Sequence, residues 1–109
     1  MSTDHVGVDV EPRGDGTLVT VTGVVDALAL PQVSRELTDA QWGTGPVYVD
    51  LQGVTFMDSR GLGALLAANE RSREGAAPIS IYRPSPAVRR LLEVSGVETI
   101  LREVAELPG

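Results

Sequence analysis

Val6, Val8 and Val10 alternate with Gly7 and Asp9, the period of two expected of a strand with one buried face. A second run, Thr17 to Thr22, follows Gly14-Asp15-Gly16, whose Asp-Gly step favours a tight turn, so the two runs predict a hairpin. After Gly23 the spacing lengthens. Leu30, Val33, Leu37 and Ala40 recur at three and four, and Pro31 suits a first helical turn. Thr44-Gly45-Pro46 ends that helix, and Val47 to Leu51 is a β-branched run short enough for a central strand. Leu62, Leu65 and Leu66 share the stripe of a second helix that stops at Gly75. Ile79 to Tyr82 reads as another strand. Ser85-Pro86 then opens a third helix through Val88, Leu91 and Leu92, closed by Gly96. Val97 to Val104 fits a short helix or a strand.

This order predicts one α/β domain over residues 1–109, with its core at about 6–104. The sheet is mixed, of four to five strands: an N-terminal hairpin plus parallel strands, with helices mostly on one face.

Composition narrows the chemistry. With 109 residues, 42% of them hydrophobic and 4% aromatic, the core must be aliphatic. The absence of cysteine removes disulfides, thiolate metal sites and cysteine nucleophiles. All nine basic residues are arginine, against fifteen acidic ones, for a net charge of −6. An acidic chain without a basic stripe is a poor direct ligand for nucleic acid, whose affinity comes mainly from phosphate contacts. The longest apolar run, Leu62 to Ala68, falls far short of the ~20 residues that span a bilayer. The N-terminus, Met1 to His5, lacks signal-peptide regions, so a cytoplasmic protein is expected.

The stretch Thr55-Phe56-Met57-Asp58-Ser59-Arg60-Gly61-Leu62-Gly63 places a hydroxyl where a strand hands over to a helix. As a hydrolase elbow it lacks the first glycine of Gly-x-Ser-x-Gly. The only histidine is His5, and Ser-x-x-Lys is impossible without lysine. A small serine hydrolase is therefore the weakest reading, and no catalytic residue is assigned. A phosphate loop also needs lysine, and His5 has no spaced metal-ligating partners. Neither cofactor nor metal is expected. Asp26, Asp50 and Asp58 could converge at strand ends, with capping as their plainer use.

Ser59 is expected first of all to be a helix N-cap. Gly61 and Gly63 remain unexplained by that role, since each costs about 1 kcal/mol against alanine within a helix. They suggest close approach of another backbone, or an exposed face that must stay flat. A phosphate on Ser59 would add about −1.5 to −2 charges at the positive end of a helix, which tolerates it, while a partner docked there would not.

Gly23-Val24-Val25-Asp26, Val49-Asp50-Leu51, the block from Gly53 to Gly63, and Pro84 to Leu92 together resemble the STAS domains of bacterial anti-sigma factor antagonists, from about Val6 to Val104. The resemblance implies a non-enzymatic module. Its unphosphorylated form binds an anti-sigma factor that is also a serine kinase, freeing the sigma factor; phosphorylation ends the binding, and a serine phosphatase restores it. On that basis Ser59 is the phosphorylation site, and Asp26, Asp58, Ser59, Arg60, Gly61 and Leu62 form the partner-binding region. Three departures stand out: Val24 replaces a glutamate, Arg60 a small or hydroxyl residue, and Ala29 a capping hydroxyl. The alternative is a STAS subunit of a membrane transport system, such as a lipid ABC transporter, binding its ATPase.

Overall fold

The computed structural model describes residues 5–108; the reading of residues 1–4 lies outside them. The elements follow in the order β1 (Gly7–Arg13), β2 (Gly16–Val25), α1 (Leu30–Gln41), β3 (Val47–Met57), α2 (Ser59–Arg73), β4 (Ile79–Tyr82), α3 (Pro86–Ser95) and β5 (Glu103–Val104). They form one five-stranded sheet, ordered β1-β2-β3-β4-β5, in which β1 and β2 pair antiparallel and the remaining neighbours are parallel. The mixed α/β expectation holds, and β5 resolves the ambiguous tail as a two-residue strand after a turn.

The period of two sorts the sheet into unequal faces. Val19, Val49 and Ile81 are register neighbours across β2, β3 and β4. With Val47, Leu51 and Ile79 they join Val33 and Leu37 of α1, Leu62 and Leu65 of α2, and Val88 and Leu92 of α3 in one buried cluster. Burying each such aliphatic side chain is worth about 1.5–3 kcal/mol, which makes this face the source of most of the stability. Tyr48, Asp50 and Tyr82 alternate onto the other face, the pattern of a sheet covered by helices on one side.

Two local expectations shift. The hairpin turn is Gly14-Asp15, not Asp15-Gly16. Gly14 takes the left-handed φ of +61°, as a tight hairpin requires, and Gly16 pairs with Arg13 inside the ladder. There a side chain at position 16 would strike the Pro46 carbonyl. The central strand also runs beyond Leu51 to Met57, because β2 continues alongside it to Val25 through two register shifts.

Helix ends follow local chemistry. Ser85 accepts from the Val88 amide at 3.3 Å, with Pro86 next, and Gly96 terminates α3 at φ +70°. At the foot of α1, Gln41 is buried. Its Nε2 donates to the Ala68 carbonyl at 2.8 Å and the Ala77 carbonyl at 3.0 Å, while Oε1 accepts from Arg71 Nε at 3.0 Å. That amide ties α1 to α2 and to the approach of β4.

Candidate functional site

The parallel strands β2 and β3 end side by side. Val25 is the register partner of Met57, and the Asp58 amide donates to the Val25 carbonyl at 3.3 Å. Asp26 and Asp58 therefore leave the sheet from adjacent positions, at the strand ends where open α/β sheets place their ligands. Each carboxylate organises the loop it begins. Asp26 Oδ1 accepts from the Leu28 amide at 3.0 Å and the Ala29 amide at 3.3 Å, so Asp26 supplies the capping missing at Ala29. Asp58, in extended conformation, accepts on Oδ1 from the Arg60 amide at 3.0 Å and the Gly61 amide at 3.2 Å.

This corrects the expectation that Ser59 caps α2. The cap is Asp58, and its own carbonyl accepts the first helical bond from the Leu62 amide. Ser59 is already the first helical residue. It is exposed, and the hydrogen bonds that close the helix start run to Asp58 without it. Two of the four amides that a helix leaves unpaired at its start are thus satisfied by a neighbour, and the hydroxyl stays open to solvent.

The two glycines divide the roles expected of them. Gly61 is buried where a Cβ would stand 2.7 Å from Met57 Cγ and 2.8 Å from Val25 Cγ1, so the helix start is pressed directly onto the strand ends. At Gly63 a Cβ would meet no atom within 4 Å. Ser59, Arg60, Gly63 and Ala67 are exposed and Leu62 is buried. Gly61 and Leu62, expected among the docking residues, are therefore core contacts that hold the helix in place. Their small or apolar character serves the seam between α2 and the sheet.

Asp50 does not join Asp26 and Asp58. It lies mid-strand on the open face, 5% exposed, with Oδ2 2.7 Å from Arg83 Nη2 and Oδ1 accepting from the Gln52 amide at 3.0 Å. Arg83 takes a left-handed φ of +49° and sits 4.9 Å from the Tyr82 ring centroid. Nothing in the local sequence signals this pairing across 33 positions. Also unassigned by sequence reasoning were Leu28 and Phe56, large apolar side chains exposed at the Ser59 end of the sheet. Leu28 had one legible signal: its place in the Asp26–Ala29 loop, ahead of the Leu30–Val33–Leu37 stripe.

Against known proteins, the family model described as "Mlab, STAS domain" matches residues 8–103. An anti-sigma-B factor antagonist of Staphylococcus aureus is 31% identical over 84 residues, covering 76% of this chain and 78% of its own. An anti-sigma factor antagonist of Mycobacterium paratuberculosis superposes with a TM-score of 0.85 at 22% identity, covering 96% of this chain and 90% of that one. The anti-sigma factor antagonist SpoIIAA of Bacillus, solved unphosphorylated and phosphorylated, gives TM-scores of 0.74 and 0.69 at 21% identity. These alignments cover 92% of this chain, and 90% and 93% of the respective SpoIIAA chains. The two structural likenesses establish the shared fold.

Proposed function

The chain belongs to the STAS-domain family, and from that premise we propose that it is an anti-sigma factor antagonist switched by phosphorylation of Ser59. Unphosphorylated, it binds an anti-sigma factor with serine kinase activity and frees the sigma factor; phosphate on Ser59 ends the binding, and a serine phosphatase renews it. The protein acts as one domain, in the cytoplasm. No helix among the described residues is long and apolar enough to cross a membrane.

The observation that carries this reading is the division of labour between Asp58 and Ser59. Because Asp58 caps the helix, Ser59 is exposed and its hydroxyl oxygen can take the phosphoryl group from ATP, losing its proton as ADP leaves, without undoing α2. The added dianion meets the positive end of the helix dipole, which favours it. A partner seated over the same turn must instead desolvate it. A cost of ~3 kcal/mol there is a loss of more than a hundredfold in affinity. Asp26 and Asp58 border the turn from two strand ends, and the exposed Arg60 adds a cation next to Ser59.

The test is direct. With ATP and the anti-sigma kinase, the wild-type chain gains one phosphate and Ser59→Ala gains none. In calorimetric titration Ser59→Ala binds the kinase as tightly as wild type, while Ser59→Asp binds at least tenfold more weakly. Equal binding by both variants refutes the switch.

A second reading has one observation of its own. The matched family model is named Mlab rather than for the antagonists. A STAS subunit bound to the ATPase of a membrane transport system would use the same helix start with Ser59 unmodified. Stoichiometric capture of such an ATPase, with no phosphate transfer to Ser59, selects it.

A further inference from the structure

Leu28 is 91% exposed in the β2–α1 loop and Phe56 is 50% exposed near the end of β3, both at the end of the sheet where Ser59 lies. Neither belongs to the core cluster. Phe56 is the register partner of Val24, and Val24, Val6, Leu28 and Ala29 supply the apolar lining of a groove of about 570 Å³ beside Asp26. The loop that carries Leu28 is held by its own amide, which donates to Asp26. An exposed leucine on a fixed loop, a half-exposed phenylalanine and a preformed concavity are the ingredients of a docking surface: anchors that lose little freedom when covered, and a pocket for a reciprocal side chain.

Charge decides among occupants. Asp26 uses Oδ1 for the loop amides of Leu28 and Ala29 and Asp58 uses Oδ1 for the first-turn amides of Arg60 and Gly61, and among the described residues neither Oδ2 has a partner within the chain. Two unspent carboxylate oxygens call for cationic donors. A second copy would bring together two chains of net charge −6, and an anionic bilayer would repel the same surface.

Resting on the antagonist reading above, we propose that Leu28 and Phe56 are the apolar anchors, and the groove floored by Val24 the specificity pocket, for the kinase-type anti-sigma factor. That partner presents an apolar side chain to the groove and basic groups to Asp26 and Asp58. The phosphate on Ser59 then acts beside the apolar contact, and the two together set which kinase is bound.

The experiment titrates the recombinant anti-sigma kinase that phosphorylates this chain into Leu28→Ser, Phe56→Ser, Val24→Glu and, as a control at the opposite end of α1, the exposed Trp42→Ser. Leu28→Ser and Phe56→Ser are each expected to raise Kd by about 30-fold. Val24→Glu should do at least as much, and Trp42→Ser should stay within about twofold. Thermal transitions confirm folding; if Val24→Glu does not fold, the two serine variants decide. Should Ser59→Asp weaken binding while Leu28→Ser and Phe56→Ser do not, the anchors are refuted and the switch survives. If no anti-sigma kinase of the source cell binds or phosphorylates the wild type, both readings fall. Sedimentation showing a dimer that Leu28→Ser dissociates, with kinase affinity unchanged, overturns the proposal in favour of a second copy.

Discussion

Gly61 and Gly63, two positions apart on α2, have opposite surroundings: a Cβ at Gly61 would press on Val25 and Met57, whereas one at Gly63 would reach no neighbour within 4 Å. Val25 is fully buried and β-branched, so it cannot turn aside cheaply. Gly61→Ala is expected to destabilise the fold by about 1–3 kcal/mol through overpacking. Gly63→Ala should stabilise it by about 0.5–1 kcal/mol through helix propensity. Urea unfolding checks both, through a midpoint that falls for the first and rises for the second at constant slope. If Gly63→Ala also weakens kinase binding, the glycine is there for a close-fitting partner.

Replacing the cap separates Asp58 from Ser59. Asp58→Ala removes the acceptor for two amides and should cost about 1 kcal/mol, while Ser59→Ala should change stability by no more than about 0.5 kcal/mol. Ser59→Asp places a negative charge in the first turn and should melt within a few degrees of wild type. A larger loss at Ser59 than at Asp58 would return the cap to the serine.

The Asp50–Arg83 pair joins a buried carboxylate to a half-exposed guanidinium on the open face. Arg83→Ala leaves Asp50 with only the Gln52 amide and keeps a left-handed backbone that alanine tolerates poorly. It is expected to lower the melting temperature. Arg83→Gly should lower it less, since glycine relieves the backbone cost. Equal losses in calorimetric scans would show that the φ of +49° stores no strain.

Arg89 grips Glu103 in a fork, Nη1 at 2.8 Å and Nη2 at 2.6 Å, tying α3 to β5. Hydrogen bonding from Arg89 holds the Glu103 carboxyl below its ordinary value of about 4.5. A depressed carboxylate stabilises the fold above the unfolded pKa and loses that contribution as pH falls through the folded one. Both side chains are more than a third exposed, so screening limits the pair to under about 1 kcal/mol. Glu103→Gln should therefore be slightly less stable than wild type at pH 7, with the gap closing below pH ~4. A gap unchanged down to pH ~3 would contradict this.

What could be read along the chain was whatever neighbours decide. The spacing of Leu30, Val33 and Leu37, the Ser85 cap and the Gly96 stop each depend on a few adjacent residues, and each stands where the pattern put it. The Val6, Val8 and Val10 alternation marks the first strand but not a buried face, since β1 begins at Gly7 and Val10 is exposed. The resemblance carried by the block around Asp58-Ser59 likewise needed no coordinates. Tertiary structure decided what depends on distant partners. Strand β3 reaches Met57 because β2 runs beside it to Val25. Which residue caps α2 was settled by the extended backbone at Asp58, fixed where its amide meets the Val25 carbonyl. Asp50 is spent on an arginine 33 positions away, and Leu28 is exposed because Asp26 folds its loop outside the core. Hydrophobic period and capping act over one or two turns of chain, whereas register, exposure and ion pairing are set by which segments the core brings together.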